Sequence, residues 1–219
     1  KTVRSSAHIS HPHPNIVFVK VKGKLNINPE EPLSSTKKHA GSIKKMSITN
    51  SFGNPSLAPS VWTKEAQKTR KKIGDGQVFG VSVYGTSSEN TSLKQLAQDY
   101  AKTALMAKKS GAMFIEANLA CPNVSGAENP FLYKDAKAVA EITRTIKSKI
   151  GTLPLILKIG YFEKYENLLN VFKKSKGNFE GISAINTISK KIVDIAGIQA
   201  LPGRDVSGVC GFAIKDYGI

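Results

Sequence analysis

Short apolar runs alternating with amphipathic helical periods constrain this chain more than any other feature. Residues 77–83 are apolar and β-branched, and Gly85 ends the run. Thr91 and Ser92 then offer helix caps, and Leu93, Leu96, Ala97, Tyr100 and Ala104 recur at helical spacing with Gln and Lys opposite. Lys108 and Lys109 suit the negative end of that helix, and Gly111 stops it. The cycle repeats with a strand at 113–118, a helix at 135–150, a strand at 155–159, a helix at 164–174 and a strand at 181–185. Strands apolar on both faces, separated by amphipathic helices, predict a parallel sheet covered by helices. A (β/α) barrel and an open doubly wound sheet both satisfy that pattern.

The first third is different, because residues 1–47 carry no helical period. Residues 15–21 are expected to pair with 24–27 across a turn at Gly23, as an antiparallel hairpin. That hairpin would sit in a long excursion, residues 4–47, near the mouth of the main sheet, where such segments tend to serve as lids or binding loops. No repeat, low-complexity tract or dividing linker is visible, so residues 1–219 are read as one domain.

The placing of polar residues decides between the two architectures. Asn50 and Ser51, Ser82 and Tyr84, Asn118 and Cys121, Lys158, then Asn186 and Thr187 all fall at the carboxyl ends of expected strands. A barrel gathers such ends at one mouth. An open nucleotide-binding sheet would show GxGxxG after its first strand, and the sequence has none. The expectation is therefore an α/β fold, a TIM (β/α)8 barrel. Such barrels run to about 250 residues, more than the 219 of this chain. The chain opens on Lys1 rather than Met, as a trimmed or processed product would.

The formal net charge is +16, from 32 Lys and Arg against 16 Asp and Glu. The lysines come in short groups, among them Lys20, Lys22 and Lys24 and the set Lys68, Arg70, Lys71 and Lys72. Reading RNA usually needs exposed aromatics between the cations. Here the aromatics are 7% of the chain and sit mostly inside apolar runs, so a solvated lysine surface is favoured over nucleic acid. No apolar run approaches the roughly 18 residues of a membrane span, and no charged-then-apolar leader opens the chain. Cys121 and Cys210 are the only cysteines, which suits a reducing, cytoplasmic home. His8, His11 and His13 lie among Ser and Pro with no carboxylate beside them, and no metal site is expected.

Several motifs resemble one family. Asn118-Leu119-Ala120-Cys121-Pro122-Asn123 resembles the NLSCPN signature of the dihydroorotate dehydrogenases, flavin enzymes built on a (β/α)8 barrel. Thr49-Asn50-Ser51-Phe52-Gly53-Asn54-Pro55 resembles their substrate loop, Leu157-Lys158-Ile159 their flavin-lysine strand, and Ile185-Asn186-Thr187-Ile188 their INT strand end. Lys1-Thr2-Val3-Arg4 resembles the end of a strand bearing a second active-site lysine, and residues 203–208 resemble the family's glycine-rich loop. The resemblance covers nearly the whole chain; it implies that Lys1 stands at the end of the second strand and that the last two strands lie beyond Ile219, so strands are expected to be missing at both ends. It implies FMN held by Lys1, Thr2, Ser82, Asn118, Lys158, Ile185 and Gly208. It also implies a pyrimidine held by Lys1, Asn50, Phe52, Gly53, Asn54 and Asn118, with Asn123, Asn186 and Thr187. Fumarate or an NAD-linked partner would accept the electrons, and the protein would be a homodimer.

The residue types suit that chemistry. Asparagine amides can both donate to and accept from the N–H groups, carbonyls and carboxylate of dihydroorotate. Lys158 ends a strand of Leu and Ile, a costly place for charge unless an anion meets it; reduced flavin is such an anion. Cys121 is the expected base, taking a proton from ring carbon 5 while a hydride leaves carbon 6 for the flavin, since a free thiol near pKa 8.5 is partly ionised around neutrality. Cys210 carries no motif and is expected to be a small buried apolar residue.

Three departures stand out: Ala120 for Ser, Asn54 for Leu, and Ser56 where the loop usually has Asn, which bears on which pyrimidine is bound. The quinone-using type resembles the chain less, because it employs a Ser base. Two other flavoenzymes compete. Dihydropyrimidine dehydrogenase usually has His after Cys-Pro, against Asn123 here. A tRNA dihydrouridine synthase would explain the charge but not the TNSFG and INTI motifs. A non-catalytic barrel remnant is the alternative from another class.

Overall fold

The apolar runs become strands of a parallel sheet. The computed structural model describes residues 2–28, 30–38, 41–88, 90–120 and 131–218, and the chain divides into two compact units. The first holds residues 1–9 and 54–183. With strands numbered in chain order, β1 (Thr2–Val3), β5 (Gly80–Val83), β6 (Phe114–Asn118), β7 (Leu155–Lys158) and β8 (Gly181–Ser183) lie side by side in that order, each neighbouring pair parallel. β5 starts at Gly80 rather than residue 77 because its partner begins at Phe114, directly opposite. β8 stops at Ser183 rather than 185 because Lys158, the last residue of β7, pairs with Ser183.

Val81, Val83, Ile115, Ala117, Leu155 and Leu157 share one face of this sheet and are essentially inaccessible. They form the core with Ala97, Ala101 and Ala104 of α2 (Leu93–Lys109) and Ile142 and Ile146 of α3 (Ala136–Ile150). Each buried Leu or Ile contributes about 1.5–3 kcal/mol, so this face drives the fold. The other face departs from the expectation of apolar residues on both sides. By strand alternation it carries Ser82, Glu116 and Lys158, all half-buried.

Local chemistry sets the helix ends. Ser92 and Gln95 form a capping box at the start of α2. The Asp135 carboxylate accepts from the N–H groups of Lys137 and Ala138 at 2.9 and 3.0 Å and so starts α3. α4 (Tyr165–Ser175) follows β7 at the position expected. α1 (Pro59–Lys72) is a helix that periodicity did not foresee, since Trp62 and Ala66 are its only fully buried residues.

The second unit holds residues 10–53 and 184–219. It contains β2 (Ile16–Val19), β3 (Leu33–Thr36), β4 (Ser47–Asn50), β9 (Ile188–Lys190), β10 (Ile192–Val193) and β11 (Ser207–Gly211), in the order β10-β3-β2-β4-β11-β9. All pairs are antiparallel except β10 with β3. The expected hairpin between 15–21 and 24–27 is not formed; β2 pairs instead with β3 and β4. In the 24–28 segment, Asn side chains capture backbone donors, with Asn28 N–H bonding Asn26 Oδ1 at 2.9 Å and Glu30 N–H bonding Asn28 Oδ1 at 3.1 Å. Such local bonds turn the chain away from a ladder.

The buried face of this sheet is partly polar: the hydroxyls of Thr49 and Ser207 lie 2.6 Å apart with no access to solvent. Lys190, almost inaccessible, donates to the Asn28 carbonyl, and burial pushes its ammonium below the usual lysine range.

Candidate functional site

Within the first unit, the polar residues foreseen at strand ends do come together. Thr2 pairs with Ser82, their hydroxyls 3.3 Å apart, and Asn118 pairs with Lys158, which pairs with Ser183. All five strands run the same way, and the register sets Asn118, Lys158 and Ser183 side by side at the strand ends, with Thr2 and Ser82 level with Glu116, two residues before Asn118. Leu119 N–H bonds the Lys158 carbonyl at 3.1 Å and Ile159 N–H bonds the Ser183 carbonyl at 3.0 Å, so the ladder stays closed up to the ends that carry Asn118 and Lys158. The Asn118 side chain turns back on its own chain, with Oδ1 accepting from Ala120 N–H at 3.3 Å.

One support of this edge escaped the sequence reading. Tyr100 of α2, read only as a core residue, donates its hydroxyl to the Asn118 carbonyl at 2.8 Å. Gly85 makes room for it, since a Cβ there would lie 2.4 Å from Tyr100 Cδ2. Ser56 departs from the expected Asn for a visible reason. Its hydroxyl accepts from Arg4 N–H at 3.1 Å and donates to the Leu57 carbonyl at 2.9 Å, while its backbone exchanges bonds with His8. Asn54 is held at φ 50°, and its buried Nδ2 has no hydrogen-bond partner among the described residues.

The second unit carries the other foreseen residues, and here three expectations are corrected. Asn50 ends a strand of the antiparallel sheet, paired with Ile16 and Gly208, and not a strand of the parallel sheet. Gly208 lies inside β11 rather than in a glycine-rich loop; with no side chain it leaves room for Thr187, whose Oγ1 would be 2.3 Å from a Cβ at 208. Asn186 and Thr187 follow β8 in the connection to β9 instead of ending a strand, and Ile185 precedes them there. Phe52 is half-exposed, and Gly53 adopts φ 76° with the His11 ring packed where its side chain would be. A cleft of about 830 Å³ in this unit is lined in part by Ile16, Phe18, Ile48 and Ile195, none of them foreseen as site residues.

Cys210 is partly accessible and stands beside Asn50, whose Nδ2 lies 3.5 Å from Sγ. Burial pushes its thiol above the usual range, against the opposing effect of the Asn50 bond, so it stays protonated near neutral pH. Lys1, Cys121 and Asn123 lie outside the described residues.

The parallel strands of this α/β sheet carry amide, hydroxyl and ammonium groups at or near their carboxyl ends, and solved structures share the fold. A ligand-free DHODH from Eimeria tenella superposes with a TM-score of 0.68 over 99% of this chain and 58% of its own length, at 15% identity. The family model for dihydroorotate dehydrogenase matches residues 38–219, and the chain belongs to that family. A curated dihydroorotate dehydrogenase from Dictyostelium discoideum is 32% identical over 228 residues, covering 100% of this chain and 60% of the relative. A "Dihydroorotate dehydrogenase A (fumarate)" from Lactobacillus helveticus is 29% identical over 176 residues, 78% of this chain and 52% of the relative. The catalytic subunit of a "Dihydroorotate dehydrogenase B (NAD(+))" from Caldicellulosiruptor bescii is 35% identical over 105 residues, 48% of this chain and 34% of the relative. The chain thus spans 60% and 52% of the first two curated relatives. No helix among the described residues is long and apolar enough to cross a membrane.

Proposed function

We propose that the chain is the greater part of an FMN-dependent oxidoreductase that oxidises dihydroorotate to orotate in pyrimidine biosynthesis. The observation that carries this reading is the pairing of Asn118 with Lys158 on adjacent parallel strands, beside Ser183 and on the same sheet as Thr2 and Ser82. That donor set fits a flavin. The Lys158 ammonium suits negative charge on the ring, and the Asn118 amide and the hydroxyls suit its polar edge. FMN, when bound, supplies the two-electron acceptor.

The residues of the chain would then bind and orient the pyrimidine. Asn54 Nδ2, a buried donor lacking a partner among the described residues, suits a ring carbonyl or the carboxylate. Asn50, Phe52, Gly53, Asn118, Asn123, Asn186 and Thr187 complete the expected substrate set, and Lys1, Ile185 and Gly208 the cofactor set. Cys121 is the base that takes the carbon 5 proton. Cys210 is less suited to that role, because burial holds its proton.

The order of the parallel strands follows the chain without reversal, as in a (β/α)8 barrel; a doubly wound sheet reverses at its switch point. On this reading, residues 1–219 belong to one barrel domain, with 4–47 as its excursion. A reducing, cytoplasmic home, a homodimer, and fumarate or an NAD-linked partner as acceptor belong to the same reading. The relatives' names support the choice of acceptors.

The test is anaerobic mixing of the full-length, flavin-loaded protein with dihydroorotate, dihydrouracil or tRNA. Bleaching of the visible flavin band by dihydroorotate alone is the expected result. Bleaching by either of the others in its place would transfer the function to a competing flavoenzyme class, and absence of a flavin band from the purified protein would favour a non-catalytic remnant.

A further inference from the structure

Arg204 has no role in the reaction above, yet it is almost wholly buried; its Nη2 is spent on the short segment 12–15, its Nη1 turns to Pro202, and its Nε has no hydrogen-bond partner among the described residues. Its Nη2 donates to the carbonyls of Pro12 and Pro14 at 3.0 and 2.6 Å and to Asn15 Oδ1 at 3.0 Å, and its Nη1 donates to the Pro202 carbonyl at 2.5 Å. A buried cation is costly unless its donors are met, and a planar fork meets several converging acceptors where an ammonium cannot.

Asn15, 2% exposed, passes the restraint onward. Its Nδ2 donates to Ser10 Oγ and to the His11 carbonyl, each at 3.1 Å, while its own carbonyl accepts from Ser51 N–H at 2.9 Å. His11 completes the hold: its N–H bonds the Phe52 carbonyl at 3.1 Å, and its Nδ1 lies 3.2 Å from Ser51 Oγ. Its ring also covers Gly53, where a Cβ would come within 2.6 Å of Nε2. Three of these bonds, one from Asn15 and two from His11, end on Ser51 and Phe52, and the His11 ring packs against Gly53. The loop backbone is tied from behind, while the Phe52 side chain is left 41% exposed.

We propose that Arg204 is a positioning residue for substrate binding, setting the placement of residues 51–53 through Asn15 and His11 without touching the substrate. The inference rests on residues 50–54 being the substrate loop. A residue that only stabilised the fold would change melting and leave KM alone; one that places the loop changes KM first.

The experiment uses the full-length, flavin-loaded enzyme with Arg204→Lys, His11→Ala, Gly53→Ala and the double variant His11→Ala/Gly53→Ala. Steady-state kinetics with dihydroorotate are measured beside hydrogen exchange at the Ser51 amide. For Arg204→Lys and His11→Ala, KM should rise about tenfold with kcat within about threefold, and Ser51 should exchange at least about tenfold faster. Gly53→Ala alone should raise KM by colliding with the ring, and adding His11→Ala should recover part of the loss. Native KM with native Ser51 exchange in Arg204→Lys would overturn the proposal. So would exchange that rises equally in α2, α3 and Ser51 while KM stays put. If the native enzyme does not oxidise dihydroorotate, the functional reading falls, and the Ser51 exchange still decides whether Arg204 holds the loop.

Discussion

Tyr100→Phe removes one atom from the support of the candidate flavin edge, and its cost can be worked from the structure. The hydroxyl donates to the Asn118 carbonyl at 2.8 Å, and Tyr100 is 0% exposed. The ring stays, so no cavity opens and only the hydrogen-bond term changes. Losing a buried donor that leaves its acceptor short costs about 1–2 kcal/mol. For a protein of this size, Tm falls about 2–4 °C per kcal/mol, so a drop of about 2–8 °C is expected. Urea unfolding should show a lower midpoint at an unchanged m-value, since the surface exposed on unfolding is the same. The strand end bearing Asn118 should also lose hydrogen-exchange protection before the middle of β6 does. A variant as stable as the native protein, with Asn118 still protected, would show that this bond does not hold the strand end.

Leu157→Ala, in the inaccessible core of the parallel sheet, should cost about 2–5 kcal/mol in urea unfolding, whereas Ile195→Ala at a fully exposed site should cost next to nothing. Cys121→Ala in the full-length enzyme should keep its flavin yet slow flavin reduction by dihydroorotate at least about a hundredfold, and Cys121→Ser should keep part of the rate with its optimum at higher pH. Cys210, its thiol raised by burial, should resist iodoacetamide at neutral pH and react only as the pH passes the usual thiol value of about 8.5. Glu180 takes its carboxylate bonds from Leu155 N–H at 2.6 Å and Lys147 at 2.8 Å, which outweigh burial and lower its pKa. Its contribution is therefore present above the ordinary carboxylate value of about 4.3 and lost as the pH falls through its folded value, so Glu180→Gln should flatten the acid limb of a stability–pH curve.

The parallel sheet and the helices α2, α3 and α4 were legible in the sequence because each depends on local signals, whereas α1, with only Trp62 and Ala66 fully buried, carried too thin an apolar stripe to be read. Residues 93–109 carry a helical stripe behind a Ser92–Gln95 box, and β5, β6 and β7 are short apolar runs between them; these patterns commit a segment wherever it lies. The motif residues Asn118 and Lys158 were legible too, as polar breaks at the ends of such runs, and their pairing follows from parallel strands in register. The second unit was decided by tertiary structure. Nothing local in Ile16–Val19 says whether it meets residues 24–27 or Ser47–Asn50, because pairing energy belongs to both partners, and the Asn side chains of 26 and 28 had already bent the nearer candidate away. The same holds for Gly208, which reads as a loop glycine in sequence and becomes a strand residue only because β4 and β9 flank it. Tyr100 and Arg204 look like a core aromatic and a surface cation until the fold brings a carbonyl of β6 to one and the carbonyls of Pro12 and Pro14 to the other. A sequence fixes which groups can bond; which distant partner satisfies a buried donor is settled only when folding removes water as the alternative.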